Sequence, residues 1–220
     1  MKVNTGLLIN IAIILFGILI LIWSVLRINN TLYLESIADR NTLIQTEKIQ
    51  SRIEDNQLST SCESIDNEVT VINKDDSVNT EITVEEIKTM PIEKIDGIEY
   101  IGMVEIPSLN ISLSILNETS ERNLELSPTR YSGSVYTDDL IIAGHSYKNH
   151  FRYIKKLTDG DEVVVIDCDG NRFTYVVKYV ETVGGYEVDK MMEGDWDLTL
   201  FTCTNSGSDR LAVRCIYKVI

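Results

Sequence analysis

The chain has 220 residues and a formal net charge of -14, because 34 Asp and Glu outnumber 20 Lys and Arg. This length predicts one domain, alone or with extensions. The acidic balance argues against nucleic acid as a partner, since phosphate binding needs clustered Lys and Arg. The 12 Gly and 3 Pro are too few for a collagen-like or low-complexity chain.

The first predicted element is a membrane-spanning helix. Residues 6–26 contain no charged side chain, and their clearly polar members are Asn10 and Ser24. A helix of this length is about 30 Å long, which matches the hydrocarbon core of a bilayer. A cleaved signal peptide is the alternative, but its apolar region has about 7–15 residues and ends in a small-residue cleavage site. We therefore expect an uncleaved single-pass anchor in the cell membrane, with residues 1–5 cytoplasmic and the body of the chain outside.

The anchor is followed by an acidic segment, residues 27–96, which we predict to be a partly helical stalk or linker. It carries 7 basic and 15 acidic residues, a net charge of -8. Apolar residues with partial helical spacing between positions 28 and 58 favour a membrane-proximal helix. Residues 59–83 are rich in Ser, Thr, Asn and Asp and lack aromatic side chains, which is typical of a disordered spacer.

Residues 97–220 have the pattern of a mostly β domain. Short runs rich in Val, Ile, Tyr and Thr are separated by turn signals such as Asp169-Gly170-Asn171, as expected of strands joined by tight turns. The predicted strands are residues 100–106, 111–115, 140–143, 162–167, 173–183, 198–203 and 211–219. Short helices are predicted at residues 122–126 and 151–157. Seven or eight closely spaced strands with little helix predict a closed or nearly closed β-barrel.

The four cysteines are an even number in a chain placed outside the cell, a pattern that invites disulfides. A hairpin turn after Cys203 places this residue opposite about residue 211, so Cys215 lies roughly four residues further along the strand. That is about 13 Å, beyond the ~7 Å between Cα atoms that a disulfide tolerates. We expect this pair not to bond to each other, and the sequence leaves the disulfide state of Cys62, Cys168 and Cys215 otherwise open.

The two histidines, His145 and His150, lie in no CxxC or HExxH pattern, so neither a catalytic metal nor another cofactor is expected. The acidic pairs Asp138-Asp139 and Asp167/Asp169 are possible Ca²⁺ ligands, with solvated turn acids as the simpler interpretation. His150 is expected at the surface or in a helix rather than in an active site.

The segment with the clearest chemical meaning is residues 199–203, Thr-Leu-Phe-Thr-Cys. Cys203 lies at the end of one predicted strand, Arg210 lies at the start of the next, and His145 follows an apolar strand further upstream. The thiolate is a nucleophile, the imidazole supplies a proton to a leaving amine, and the guanidinium holds a carbonyl oxygen. These are the parts of a thiol acyl-transfer site.

On these residues the sequence resembles the sortase family, the cysteine transpeptidases of Gram-positive bacteria. Residues 199–203 match the family's TLxTC motif, residues 142–145 match its His signature, and Arg210 stands at its Arg position on the following strand. The resemblance covers residues 97–220. It implies that they form a catalytic domain with the eight-stranded sortase β-barrel.

The resemblance also implies a reaction. Cys203 would attack the Thr–Gly carbonyl of an LPXTG-like sorting signal on a secreted protein, and His145 would protonate the departing amine. Arg210 would stabilise the oxyanion and position the substrate. An amine from a cell-wall precursor, or a pilin lysine, would then resolve the thioacyl enzyme.

Substrate binding is expected from three further residues, each with an alternative role. Thr202 is expected to hydrogen-bond substrate, or else to serve only the β-strand. Arg214 lies on the same strand face as Arg210 by alternation, so it is expected at the substrate or as a structural neighbour. Trp196 is expected to border the substrate groove, with ordinary loop packing as the alternative.

Two other functions stay open from the sequence. A peptidase of the same fold would hydrolyse the sorting signal, and a catalytically silent module would only bind partners at the cell surface. The subclass is open too, between class B-like and class D-like. The three prolines do not form the Asp-Pro-aromatic lid motif of pilus-building members, and residues 186–196 are too short for the long helical insert of class B members.

Overall fold

The structure is a computed structural model that describes residues 5–63, 88–204 and 206–219. The chain divides into two units, Met1–Arg40 and Asn41–Ile220. Helix α1 (Thr5–Glu63) begins in the first unit and ends in the second.

The first unit contains a stretch of α1 that is long and apolar enough to cross a membrane. It runs from Ile13 to Asn30 with a mean hydropathy of 2.0, and none of its residues is buried. By length and composition this helix fits the expected single-pass anchor. The boundaries at residues 1–5 and 6–26 and the orientation stay predictions.

The second unit is built around nine strands, and its α1 portion is followed by a short second helix. The elements are β1 (Glu93–Ile95), β2 (Ile98–Ile106), β3 (Ile111–Leu116), α2 (Glu121–Leu126), β4 (Thr129–Ser132), β5 (Leu140–Ala143), β6 (Glu162–Asp167), β7 (Arg172–Gly184), β8 (Leu198–Cys203) and β9 (Asp209–Tyr217). Neighbouring strands follow the order β1-β2-β3-β4-β5-β8-β9-β7-β6, and β2 also pairs with β6. That pairing closes eight strands into a barrel and leaves β1 as an edge partner of β2. The predicted mostly β fold with an eight-stranded barrel is confirmed.

Some elements differ from those that the sequence predicts. The sequence does not predict β1 and β4, because both are short and contain charged residues. The helix expected at residues 151–157 is only a 3₁₀ turn at Ile154–Lys156. The last strand begins at Asp209, two residues before the predicted start, and this earlier start sets the pairing beside Cys203.

Strand β6 is apolar on both faces, and the packing explains this pattern. Val163 and Val165 belong to the barrel core, whereas Val164 and Ile166 belong to a second cluster on the outside. Because successive side chains of a strand face opposite sides, an uninterrupted apolar run needs a cover on the outer face as well. The C-terminal part of α1 supplies that cover through residues such as Ile49.

Residues 41–58 of α1 pack along the barrel with one continuous face. The buried members of this face have helical spacing, and they are Thr42, Gln45, Thr46, Ile49 and Ile53. The polar members are hydrogen-bonded to the barrel: the Tyr100 hydroxyl donates to Gln45, and the Ser114 amide donates to Thr46 Oγ1 at 3.2 Å. Residues 64–87 of the expected stalk lie outside the described residues, so the boundaries of that segment stay a prediction.

Three cysteines are free thiols, namely Cys168, Cys203 and Cys215; the side chain of Cys62 lies outside the described residues. Cys215 is opposite Leu198 in the β8–β9 ladder, at the far end of β8 from Cys203, so these two thiols are unbonded as expected. The predicted register is wrong by one residue. Cys203 is paired with Arg210 rather than with residue 211, which places the thiol and the guanidinium on directly opposed residues.

His150 is fully buried instead of lying at the surface. The Thr42 hydroxyl donates to the Leu126 carbonyl at 2.9 Å and lies 2.5 Å from His150 Nε2. Because the hydroxyl has a single hydrogen, Nε2 must carry the proton and donate to Thr42. Within the described ranges His150 Nδ1 has no hydrogen-bond partner. Burial, with a smaller effect of His145, lowers the pKa of His150 to about 4.

The buried neutral His150 predicts a loss of stability in acid. Its ordinary pKa is 6.5 and its folded pKa is about 4, so between these values the unfolded chain binds more protons and acid favours unfolding. This contribution is complete above pH 6.5 and is lost as the pH falls to 4, about 3 kcal/mol in total. Urea titrations at pH 7 and pH 4 should show a larger drop in unfolding free energy for the wild type than for His150→Gln. An equal drop in both proteins would contradict the argument.

Candidate functional site

The three residues expected to carry chemistry lie on adjacent backbone segments at one edge of the barrel. Strand β5 runs parallel to β8, and just beyond its end the Gly144 amide donates to the Phe201 carbonyl at 3.0 Å. Extending this parallel register brings His145 level with Cys203. On the other side of β8, the antiparallel partner of Cys203 is Arg210. The order across the sheet is therefore imidazole, thiol and guanidinium.

These three side chains line one pocket of about 230 Å³ on the outer face of the sheet. Strand alternation puts Leu200 in the barrel core and Cys203 on the opposite face. Most of the remaining lining is apolar, and it includes Leu124, Tyr131, Ala143, Met191 and Phe201. The Tyr131 and Phe201 rings meet edge to face with centroids 5.3 Å apart. A concave apolar wall beside a few polar groups is the usual form of a ligand site.

The loop that carries His145 is held by close packing on both sides. A Cβ on Gly144 would lie 2.6 Å from the Phe151 ring, so glycine is needed for the chain to pass this ring. The Phe151 amide donates to the His145 carbonyl at 3.1 Å. The His145 ring also lies 4.7 Å, centroid to centroid, from the ring of Tyr147. The imidazole is thus presented to the pocket from a tightly packed turn.

Burial lowers the pKa of His145, and the carboxylates of Glu125 and Glu121 partly oppose this effect. Both acids lie on α2, the helix whose Leu124 lines the pocket. Desolvation disfavours the imidazolium, whereas nearby negative charge favours it. Helix α2 therefore contributes to both the shape of the pocket and the protonation of His145.

Replacing Glu125 with Gln is expected to lower the pKa of His145 further, because it removes a charge that favours the imidazolium. An NMR titration of the His145 ring measures this directly. Glu118→Gln is the matched control, because Glu118 lies just before α2 and is not among the groups that shift His145. A His145 pKa that rises, or that moves equally in both variants, would contradict the assignment.

Cys203 is half-buried and lies between two pockets. It lines the 230 Å³ pocket and also a second one of about 410 Å³, whose wall includes Arg152 and Lys155. Thr202 lines both pockets, and its Oγ1 is buried without a hydrogen-bond partner in the part of the chain that the structure describes. A buried hydroxyl without a partner costs free energy. A substrate group that pairs with it would recover that cost.

Arg210 and Arg214 share a face of β9 but lie in different environments. Arg210 is half-buried in the pocket, with Nη1 at 3.3 Å from the carbonyls of Gly207 and Asp209. Arg214 is 2% exposed and its Nε donates to Glu181 at 2.9 Å. Only Arg210 of the two is placed where it can contact a molecule in the pocket.

The remaining donors of Arg214 bind the protein itself. They reach Thr199 Oγ1 at 3.1 Å and the carbonyls of Met191 at 2.8 Å and Lys190 at 2.6 Å. Arg214 is absent from the described lining of both pockets beside Cys203. Its contacts instead tie the loop after β7 to the sheet, and that loop places Met191 in the pocket wall.

Trp196 lies in a neighbouring pocket of about 110 Å³, together with Met192 and Thr199. Met191 lines both this pocket and the one that contains Cys203. The indole therefore borders an extension of the groove rather than the reacting atoms.

The sequence does not point to Thr119, Leu124 or Tyr131, although all three line the pocket. They come from α2, β4 and the turn before α2, and no spacing motif connects them to Cys203. The apolar or aromatic character of Leu124 and Tyr131 is the available signal, and it fits a barrel core equally well. Arg152 and Lys155 beside the second pocket could not be predicted as site residues either, because isolated Lys and Arg side chains are common on any protein surface.

The acidic pairs do not form a metal-binding cluster within residues 5–63, 88–204 and 206–219, where no three His, Cys, Asp or Glu are suitably grouped. Asp167 is buried and accepts hydrogen bonds from the Tyr136 hydroxyl at 2.5 Å and from Asn171 Nδ2 at 2.9 Å. This carboxylate holds the β6–β7 turn together.

Comparison with known proteins adds to the geometry. A family model described as "Sortase domain" matches residues 104–217, which is 114 of 220 residues. Similar solved structures include sortase A from Corynebacterium diphtheriae, at 23% identity over 55% of this chain and 61% of that chain, with a TM-score of 0.48. The chain thus spans less than two thirds of the Corynebacterium protein.

Two further solved structures are similar to the chain. A Clostridium perfringens sortase D5 transpeptidase has 24% identity over 58% of this chain and 83% of that chain, with a TM-score of 0.49. Streptococcus agalactiae sortase C1 has 23% identity over 55% and 68%, with a TM-score of 0.50. At 23% identity, the similarity to the Streptococcus agalactiae protein supports the fold alone. No curated protein matches the chain.

Proposed function

The chain belongs to the sortase family, and we propose that it is a membrane-anchored cysteine transpeptidase that acts on an LPXTG-like sorting signal. Family membership and the fold support a transpeptidase-type function. The observation that carries the specific proposal is the meeting of His145, Cys203 and Arg210 in one pocket, on three adjacent backbone segments. These three are the groups that thiol acyl transfer requires.

In the proposed acylation step, the Cys203 thiolate attacks the carbonyl carbon of the Thr–Gly bond. The developing oxyanion accepts hydrogen bonds from the Arg210 guanidinium, which stabilises negative charge in a partly dry pocket. The C–N bond then breaks, and the protonated form of His145 gives its proton to the departing amine. The products are a thioester between Cys203 and the part of the substrate that ends in Thr, a released carboxy-terminal fragment with a free amino group, and a neutral imidazole.

In the proposed second step, an amine of a cell-wall precursor or a pilin lysine attacks the thioester. Neutral His145 accepts the proton that the amine loses, and the Cys203 thiolate leaves. This restores both groups to their starting protonation states. The second pocket, which is lined by Cys203, Arg152 and Lys155, is proposed to hold the acceptor.

The apolar pocket supports the proposed substrate class. Leu124, Tyr131 and Phe201 offer a surface for the Leu and Pro side chains of the sorting signal. The Thr202 hydroxyl, which has no hydrogen-bond partner among the described residues, is proposed to hydrogen-bond the peptide backbone beside the scissile bond. Arg214, with its donors occupied, is proposed to act through the loop that carries Met191, and Trp196 to border the groove.

The domain organisation that we propose keeps the sequence-based boundaries. Residues 1–5 are proposed to be cytoplasmic, residues 6–26 to span the membrane, residues 27–96 to link, and residues 97–220 to catalyse outside the cell. The apolar helix at Ile13–Asn30 supports a single-pass anchor. We propose that this anchor lets the catalytic domain bind secreted proteins at the membrane surface as they emerge.

The proposal is tested with the full chain in detergent micelles and LPXTG-like peptides, without an acceptor amine. We expect the intact mass to increase by the mass of the peptide cleaved after Thr. Adding a primary amine should release a ligated product. Hydrolysed peptide alone, with no ligation at saturating amine, would indicate a peptidase of the same fold.

A folded protein that forms no adduct with any peptide, and whose Cys203 is also unreactive towards a thiol-directed sulfone, would overturn the proposal. That result favours the silent binding module. A reactive Cys203 without any adduct would instead exclude the LPXTG-like class of substrate.

A further inference from the structure

Building on the proposed function, we propose that Thr42, on the barrel-packed part of α1, is a positioning residue for the imidazole of His145. The Thr42 side chain is buried and hydrogen-bonds two elements that meet at the pocket. One is α2, and the other is the turn that carries His145. The helix that leads from the anchor region would then be part of the catalytic unit rather than only a link.

The first connection runs through α2. Thr42 Oγ1 donates to the carbonyl of Leu126, the last residue of that helix, at 2.9 Å. Leu124 of the same helix lines the pocket. Glu121 and Glu125 of α2 also act electrostatically on His145. A shift of this helix end would therefore change both the pocket wall and the field at the imidazole.

The second connection runs through His150. Its Nε2 donates to Thr42, and its amide donates to the Tyr147 carbonyl at 3.1 Å. The Tyr147 ring lies between two imidazoles, 5.4 Å from His150 and 4.7 Å from His145. One hydrogen bond and two ring contacts thus lead from Thr42 on the helix to the catalytic histidine, and the three rings lie within six residues of chain.

The Thr42–His150 hydrogen bond is held in place because neither side chain can hydrogen-bond to water instead. His150 is 0% and Thr42 is 2% exposed, so a broken bond leaves a buried N–H without an acceptor. Small displacements of a catalytic group matter, because a misplacement of about 1 Å costs on the order of 10²-fold in rate. Loss of the Thr42 hydroxyl is therefore expected to lower the reaction rate, although Thr42 does not contact the substrate.

The same helix offers a matched control at Thr46, one turn further along. Thr46 Oγ1 is also buried, and it accepts a hydrogen bond from the Ser114 amide of β3 at 3.2 Å. Thr46 contacts neither the His145 turn nor α2 through this bond. Thr42→Val and Thr46→Val each remove one helix–barrel hydroxyl with the same change of shape.

The experiment uses the full chain in micelles and compares wild type, Thr42→Val, Thr42→Ser and Thr46→Val. Thioester formation with an LPXTG-like peptide gives kcat and KM, and NMR gives the His145 titration. We expect Thr42→Val to lower kcat by about 10- to 100-fold with KM nearly unchanged, and to shift the His145 titration. Thr42→Ser should restore both, and Thr46→Val should resemble wild type even if it is equally destabilised.

Equal kcat values and identical His145 titrations in Thr42→Val and Thr46→Val would overturn the proposal, because the hydroxyl would then be merely structural. If Thr42→Val does not fold, Thr42→Ala removes the hydroxyl without the added methyl group and is measured in the same way. If the wild type forms no thioester, the proposed function fails. The His145 titration would still show whether Thr42 positions the imidazole.

Discussion

Replacement of Cys203 by alanine is expected to abolish thioester formation, a loss of at least about 10⁴-fold in rate, because the proposed nucleophile is removed. The other described thiols are unable to substitute. Cys168 and Cys215 are buried, and burial raises the pKa of each to about 12. Since the thiolate is the reactive form, neither supplies a nucleophile near neutral pH.

Intact-protein mass after incubation with the sorting peptide measures this effect, and thermal unfolding checks that Cys203→Ala is folded. Cys168→Ala is the matched control, because it removes a thiol of the same chain that lies outside the pocket. We expect this control to form the adduct at the wild-type rate. An adduct of the same mass on folded Cys203→Ala would contradict the assignment of the nucleophile.

Alanine substitutions of Arg210 and Arg214 are expected to have different effects, the first on activity and the second on stability. Arg210→Ala should lower kcat/KM by about 10²- to 10³-fold, which is typical for the loss of an oxyanion donor, with little change in stability. Arg214→Ala should instead lower the unfolding free energy by about 3 kcal/mol. It leaves the Glu181 carboxylate, the part-buried Lys190 carbonyl and the buried Met191 carbonyl without their donor.

Urea unfolding and thioester kinetics on both variants separate the two roles. Arg214→Ala is expected to keep most of its activity below its unfolding midpoint, with a raised KM because the loop around Met191 loosens. Arg210→Lys tests whether charge alone suffices, since a lysine lacks the planar fork of the guanidinium. Activity lost on Arg214→Ala and kept on Arg210→Ala would reverse the assignment.

Strong local patterns made much of the fold predictable. Strands β5, β6 and β8 begin and end where the sequence predicts, because each is an apolar run bounded by turn residues. The strands with mixed composition, β1 and β4, could not be predicted from the sequence. A short polar segment becomes a strand only when a neighbouring strand supplies its hydrogen bonds. Closure into a barrel followed from strand number, and the structure confirms it.

The packing of residues 41–58 was not predictable from periodicity. Three of the residues that this helix buries are polar, and they are Thr42, Gln45 and Thr46. An apolar stripe is the signal that predicts a packed helix, whereas a buried polar residue is tolerated only when a distant partner satisfies it. Those partners, Tyr100, Ser114 and His150, lie between 55 and 108 residues away.

The sequence by itself determined the chemical groups of the candidate site. The motifs predict a thiol and an imidazole, and strand alternation predicts two arginines on one face of the last strand. Their catalytic roles stay predictions, but their place in one pocket follows the sequence closely. The motif resemblance already pointed to Arg210, and only the tertiary structure showed that Arg214 is enclosed by protein contacts and that His150 is buried. The physical reason is that alternation sets the direction of a side chain, whereas its partners come from elements that the local sequence does not encode.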